Sequence, residues 1–241
     1  MTGHGRLLKP ARRTSRGLII RLRPPEILLI GFTLLALLGM LLLEWRNPAT
    51  LGGLPHWDDR LWAAWFQAVT PRTAGFHTVD TGALTMPGTL LTMLLMFIGG
   101  GPSSTASGIK VTTFVVLLLT ARAFVQGRNE PVAFQRRMSP ETVTKAVAVA
   151  MASMLLIFVA LFLLTVTQQH LDFMDLAFET VSAFGTVGLS RGITDQLTPI
   201  GQLLLIVTML LGRVGPLSLG YLVASRRVPG TRFATEHMQI G

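Results

Sequence analysis

Apolar positions in this chain gather into continuous runs instead of marking one face of each helix. Residues 27–43 form a stretch of 17 without a charge, roughly 26 Å of helix against a hydrocarbon core of about 30 Å. A longer run, residues 143–167, carries only Lys145, near its start. Both predict helices that cross a bilayer. The first is not a cleavable signal, because its apolar core is too long and no small-residue cleavage site follows. Two shorter segments have a different pattern. Asp58 and Asp59 open a helix in which Trp62, Trp65, Phe66 and Val69 recur at helical spacing, and Pro71 ends it. A run of about 13 residues covers ~20 Å, which suits a half-depth helix and not a span. Residues 172–183 repeat the plan, opening with acids and placing Phe173, Leu176, Ala177 and Val181 at helical spacing.

The order of segments is also repeated. Each half-helix leads into a short glycine-containing stretch, Thr73-Ala74-Gly75-Phe76 and Thr186-Val187-Gly188-Leu189. Phe66-Gln67-Ala68-Val69-Thr70 aligns with Phe178-Glu179-Thr180-Val181-Ser182, so the copies match before these stretches too. After each comes an interrupted hydrophobic segment. Residues 88–98 and 109–121 are separated by Gly99-Gly100-Gly101-Pro102-Ser103-Ser104-Thr105-Ala106-Ser107-Gly108, and residues 200–211 run into Gly212-Arg213-Val214-Gly215-Pro216 before 217–224. The predicted fold is an all-α integral membrane protein. It has two membrane–pore–membrane repeats with re-entrant pore helices and broken second helices. The expected divisions are a basic cytoplasmic segment 1–23, a repeat 24–125, a cytoplasmic loop 126–140, a repeat 141–228 and a cytoplasmic tail 229–241.

Irregular backbone at membrane depth survives only if it is buried in protein or lines water. Glycine permits the positive φ that lets successive carbonyls point one way, toward an ion whose hydration shell they replace. Residues 73–76 and 186–189 are therefore expected to form an ion-selectivity filter. An ordinary extracellular turn would explain a single T-x-G, but not two in the same context. The Gly/Ser run with its central proline cannot stay helical, and its freed carbonyls need polar partners such as a water-filled pore. Lys110 and Arg213 lie close to the two breaks. An intramembrane cation is a functional hypothesis by default. For Lys110 the alternative is snorkelling to the cytoplasmic interface.

Composition narrows the chemistry. With no cysteine, disulfides, thiolate catalysis and sulfur-ligated metals are excluded, and the five histidines are scattered. No nucleophile–base constellation appears, so no enzymatic reaction is implied. A net charge of +9 could suggest nucleic acid, but the positions of the charges argue against it. Fifteen of the 21 basic residues lie in 6–23, 122–145 and 226–232, whereas Arg46, Arg60, Arg72 and Arg191 occupy the intervening loops. This is the positive-inside bias, placing both termini and the central loop in the cytoplasm of a multi-pass plasma (inner) membrane protein. It also places Glu44, Asp58, Asp59, Asp80, Asp172, Asp175, Glu179 and Asp195 outside or in the outer leaflet. There they form an acidic cation-concentrating vestibule or are solvated caps.

With these residues in hand, the sequence resembles the Trk/Ktr/HKT superfamily of potassium transporters. The resemblance rests on residues 72–76, 99–110, 182–190 and 212–216 and covers about residues 24–228. It implies K⁺ held at backbone carbonyls of Thr73, Ala74, Gly75, Phe76, Thr186, Val187, Gly188 and Leu189, with Gly75 and Gly188 as the filter glycines. It implies a gate made of Gly99, Gly100, Gly101, Pro102, Ser103, Ser104, Lys110 and Arg213. K⁺ would be the transported ion, with no covalently bound cofactor. The partners implied are membrane lipid, a cytosolic nucleotide-binding ring and a homodimeric arrangement, with no nucleic acid. The family has four such units around one pore, and this chain carries units like the third and fourth. A separately encoded half, a homo-oligomer of two-repeat chains, or a truncated reading frame would each account for that. The expected function is K⁺ transport as the C-terminal half of an uptake subunit. The alternatives are a non-conducting truncated or regulatory half-subunit bound to a full-length homologue, and a permease subunit of a solute transporter.

Overall fold

The structure, a computed structural model, describes residues 24–101, 104, 106–127, 132–133 and 136–215. It contains seven α-helices among these residues, with sharply defined starts. Pro24 and Pro25 begin α1 (Pro24–Glu44), and Asp58 and Asp59 sit in the first turn of α2 (Trp57–Val69), where they complement the helix dipole. Thr85 caps α3 (Met86–Phe97) by accepting from the Gly88 amide, with proline in the first turn. After the interruption, α4 runs from Val111 to Val125. Ser139 caps α5 (Pro140–Thr167), Asp172 caps α6 (Phe173–Gly185) and Thr198 caps α7 (Pro199–Val214). Residues 132–133 (β1) and 136–137 (β2) form a two-residue antiparallel ladder in the loop before α5, so this loop is not wholly irregular.

One expected break lies further along than the sequence suggested. Gly212, Arg213 and Val214 are helical, and α7 ends at Gly215, whose φ of 84° leaves the helix. Gly212 is a contact glycine and not a breaker: a Cβ there would collide with the Phe184 carbonyl oxygen. The expected tracts 1–23 and 217–224, the tail 229–241, and Pro102, Ser103, Thr105 and Pro216 fall outside the described residues.

Helices α1, α2 and α3 pack together, as do α5, α6 and α7, and the two groups meet where α3 lies on α6 and α4 on α5. Ala36, Met40, Ala64, Ala68 and Leu95 fill the first group, and Leu164, Leu176, Ala183 and Leu205 the second. A third cluster joins them, with Met96 of α3 against Phe178, Val181, Val187 and Leu189. Helices α1 and α5 are long and apolar enough to cross a membrane, with mean hydropathies of 2.5 and 2.9 over their most apolar windows. Only 11% and 17% of those windows are buried, so these apolar surfaces face outward. A core helix of a soluble protein has the opposite pattern, burying its apolar residues. With lipid outside, cohesion comes from close packing and internal hydrogen bonds.

One such bond set occurs in both groups. Glu44, at the end of α1, is 1% exposed and accepts from the Thr85 amide at 3.0 Å, as well as from Asn47 and Thr50. Gln168, just after α5, is fully buried and accepts from the Thr198 amide at 3.1 Å while donating to the Thr198 hydroxyl at 2.6 Å. In each case the end of the long helix latches the threonine that caps the helix following the T-x-G stretch.

Candidate functional site

Both short helices lead into the same alternation of backbone, α6 directly at its C-cap Thr186 and α2 after a further turn that starts at Thr70. Thr73 and Gly75 have φ of 72° and 75°, and Thr186 and Gly188 have φ of 49° and 90°. Ala74, Phe76, Val187 and Leu189 do not share this handedness, so each stretch alternates left-handed and ordinary residues. Such alternation turns successive peptide planes so that their carbonyls line up on one side. A β-branched threonine at positive φ is strained, and such strain persists only where the surroundings impose it. Thr186 is held by amide bonds from residues 186 and 187 to the carbonyls of Ala183 and Ser182, both 3.0 Å. In the first stretch the Thr70 carbonyl accepts from Ala74 and Gly75, and the Thr70 hydroxyl donates to the Phe76 carbonyl.

The two stretches, far apart in sequence, touch. A Cβ placed on Gly188 would lie 3.8 Å from Gly75 Cα, and one on Gly75 would collide with the Val187 carbonyl oxygen. Gly188 is exposed, whereas its neighbours Val187 and Leu189 are buried at 4% and 2%. The second stretch thus buries its side chains and offers its backbone at the open face. The first is less covered: Phe76, in the position of Leu189, is 72% exposed.

Beneath them the chain between α3 and α4 makes a closed excursion. Ile98 and Ile109 bridge in parallel, with Gly99 donating to the Ile109 carbonyl at 2.8 Å and Ile109 to the Phe97 carbonyl at 2.9 Å. Gly99 fits this neck because a Cβ would strike the Ser107 carbonyl oxygen, and Gly108 turns it with φ of 75°. The Lys110 ammonium folds back into the excursion, donating to the carbonyls of Ala106 at 2.6 Å and Ser104 at 2.9 Å. Carbonyls freed by the helix break are therefore satisfied partly by this cation. Arg213 is within electrostatic reach of Lys110. The Thr186 hydroxyl donates to Ser107 at 2.8 Å, tying the excursion to the second stretch.

Sequence reasoning missed the supports around the second stretch. Arg191 pairs with Asp175 of α6 at 2.6 Å and reaches the Thr89 hydroxyl of α3 at 2.8 Å. Glu179, one turn after Asp175, accepts from the hydroxyls of Ser190 and Thr194. The signal available was the pair of carboxylates four residues apart on one short helix, which charge alone assigns to a vestibule or caps. Gln67 occupies the place of Glu179 in the first group, and neither of its amide atoms has a partner among the described residues. Arg72 donates to the Thr33 hydroxyl and lies over the Phe32 ring, on the wall of a cavity of about 480 Å³ between α1, α2 and the excursion.

Comparison with known proteins gives three kinds of likeness. The family described as TrkH, cation transport protein, matches residues 26–231. The chain is 45% identical over 211 residues to Ktr system potassium uptake protein B of Bacillus subtilis, covering 86% of this chain and 47% of that protein. It is 36% identical over 223 residues to the potassium/sodium uptake protein NtpJ of Enterococcus hirae, covering 88% and 49%. The crystal structure of the potassium transporter TrkH from Vibrio parahaemolyticus superposes with a TM-score of 0.69 at 24% identity, over 83% of this chain and 44% of that one. At that identity the likeness is one of fold. The chain spans about half the length of the curated relatives it matches.

Proposed function

The chain belongs to the TrkH family of cation transport proteins, and from that premise we propose that it supplies half of a potassium-conducting path. The family is one of membrane transporters and not of enzymes. In this reading residues 24–125 and 141–228 are two membrane–pore–membrane repeats, in which α2 and α6 are re-entrant pore helices. Thr73, Ala74, Gly75 and Phe76 form one wall of a selectivity filter, and Thr186, Val187, Gly188 and Leu189 form the next. K⁺ passes as the substrate, dehydrated by backbone carbonyls. The Gly99–Gly108 excursion, with Lys110 and Arg213, lies across the path as its gate. The observation that carries this reading is the meeting of Gly75 and Gly188 in two stretches with the same alternation of φ.

Two walls do not enclose an ion. The exposed Phe76, against its buried counterpart Leu189, supports a preceding unit that covers the first stretch as α3 covers the second. That unit comes from the remainder of a longer chain, from a separate half or from a second copy. The protein then sits in the plasma membrane with both termini cytoplasmic, in contact with lipid. A cytosolic nucleotide-binding ring regulates it, as the family resemblance implies. A non-conducting half that binds a complete homologue is the competing reading, which the exposed first wall would serve equally.

Gly188→Ser and Gly192→Ser form a matched pair for the test. Their φ values are 90° and 91°, and nothing crowds either position closer than 3.8 Å, so the two substitutions impose equal backbone strain. Only Gly188 is in the proposed filter. With the remaining units supplied, Gly188→Ser should lower the K⁺/Na⁺ permeability ratio about tenfold, a loss of about 1.4 kcal/mol in differential binding. Gly192→Ser should leave it near the parent value. Equal ratios in the two variants would refute the filter.

A further inference from the structure

Glu179 is a buried acid that the filter reading leaves without a role. It is 6% exposed, at the centre of α6, and it borders a cavity of about 300 Å³ with Thr186, Gly188 and Ser190 on one wall and Leu205 and Met209 of α7 on another. One carboxylate oxygen takes two hydroxyl bonds, from Ser190 and from Thr194, the latter at 3.1 Å. The Ser190 hydroxyl in turn accepts from the Gly192 amide at 3.0 Å and contacts Thr194 Oγ1 at 2.9 Å. Ser190 directly follows Leu189, the last residue of the second filter wall. One turn earlier on the same face, Asp175 holds Arg191. Two carboxylates of one short helix therefore fix two consecutive residues at the exit of the second wall.

The first wall has no carboxylate anchor among the described residues; the neutral Thr70 hydroxyl, donating to the Phe76 carbonyl, takes that place. In the alignment of the two short helices, Asp175 and Glu179 correspond to Ala63 and Gln67. The Gln67 amide has no partner among the described residues. It borders a small internal void beside Glu44, Thr50 and Leu51, away from the stretch it precedes.

We propose that Glu179 is a specificity-determining positioning residue: through Ser190 it anchors the outer end of Thr186–Leu189, making the second wall the stiffer, more discriminating one. Discrimination between two cations of one charge depends on how far carbonyls can follow the smaller ion inward, so a wall pinned at its exit separates them better. A hydrogen bond to a buried carboxylate is among the stronger kinds, and here it holds the Ser190 hydroxyl and not the ion. The inference rests on the filter reading for its consequence but not for its geometry.

Two measurements on the full chain in lipid nanodiscs separate the questions. The first is hydrogen–deuterium exchange in Glu179→Gln, Ser190→Ala and the double variant. Amides of residues 187–190 should exchange about tenfold faster in each single variant, with those of residues 74–76 unchanged. The double variant should be no faster than the faster single one, because Glu179→Gln weakens the link that Ser190→Ala removes. Unchanged exchange, additive effects, or acceleration spread over both walls would overturn the proposal. Ser190→Ala removes a half-buried hydroxyl and leaves Glu179 bonded to Thr194, so it remains informative if Glu179→Gln folds poorly. The second measurement, made with the remaining units supplied, compares K⁺ with Na⁺ as stabilisers against thermal unfolding. The parent should prefer K⁺, and the ratio of half-effective concentrations should shrink about fivefold in both single variants. If exchange responds as expected while the parent shows no preference for K⁺, the anchor stands and the filter reading falls. If the parent prefers K⁺ and the variants keep the full preference, Glu179 does not determine specificity.

Discussion

Glycines at this site serve different physical purposes, and substitution separates them. Gly75 needs both positive φ and the space taken by the Val187 carbonyl oxygen, whereas Gly188 needs only the φ. Gly212 is helical, and it needs only the space, because α7 presses its backbone onto Phe184. Gly31, in α1, has nothing within 4 Å of where a methyl group would stand and no unusual φ. Gly212→Ala should therefore cost about 1–3 kcal/mol through forced separation of α6 and α7. Gly31→Ala should cost nothing, since alanine is the better helix former. Thermal unfolding in detergent checks the pair, and a Gly212→Ala protein as stable as Gly31→Ala would mean that the α6–α7 contact is loose.

At the scale of elements, the proposed gate is the excursion between α3 and α4. Its neck is closed by backbone hydrogen bonds between residues 97–100 and 109–111, and its body is tied to Lys110 and, through Ser107, to Thr186. A loop with these ties holds its shape and can block a path. Lys110→Met removes the bonds to Ser104 and Ala106, and deletion of residues 100–104 removes the body itself. Both should raise K⁺ flux per inserted molecule. Arg213→Ala should act in the same direction, since a unit charge about 6 Å from an ion opposes it by about 3 kcal/mol at an effective dielectric near 20. Rubidium uptake, normalised to membrane abundance in cells supplying the other units, is the measurement. Normal insertion with no gain in any of the three variants would make the excursion a scaffold.

For the whole molecule, orientation follows from charge. Residues 122–145 should be cytoplasmic and His77 external, because the basic residues gather in the tracts expected inside. The chain contains no cysteine, so single cysteines report cleanly. His77 is a better outer reporter than Arg191, since His77 is exposed while Arg191 bridges Asp175 and Thr89 across the two helix groups. An impermeant thiol reagent applied to intact cells should label His77→Cys and spare Arg128→Cys. The reverse pattern would invert the topology.

The linear sequence determined the elements because each is set by local rules. Uncharged runs make long helices, Asp, Ser and Thr caps with proline in the first turn fix their starts, and glycine-rich breaks end them. The same rules located both T-x-G stretches, since their departure from helix is written in residue type. Hydropathy also reached the membrane without help, because lipid leaves α1 and α5 apolar all round. Other features depended on atoms brought together from distant parts of the chain. Gly212 reads as a helix breaker until Phe184 is placed against it, and the partners of Lys110 are unknown until Ser104 and Ala106 turn their carbonyls to it. Positive φ at Thr73 and Thr186 runs against residue type, so only packing and hydrogen bonding around the two stretches could impose it. The Glu179–Ser190 link joins a helix to the loop that leaves it, and its partner could not be read from spacing. The tertiary structure decided which polar atoms meet, because a hydrogen bond depends on distance and direction in space and not on order along the chain.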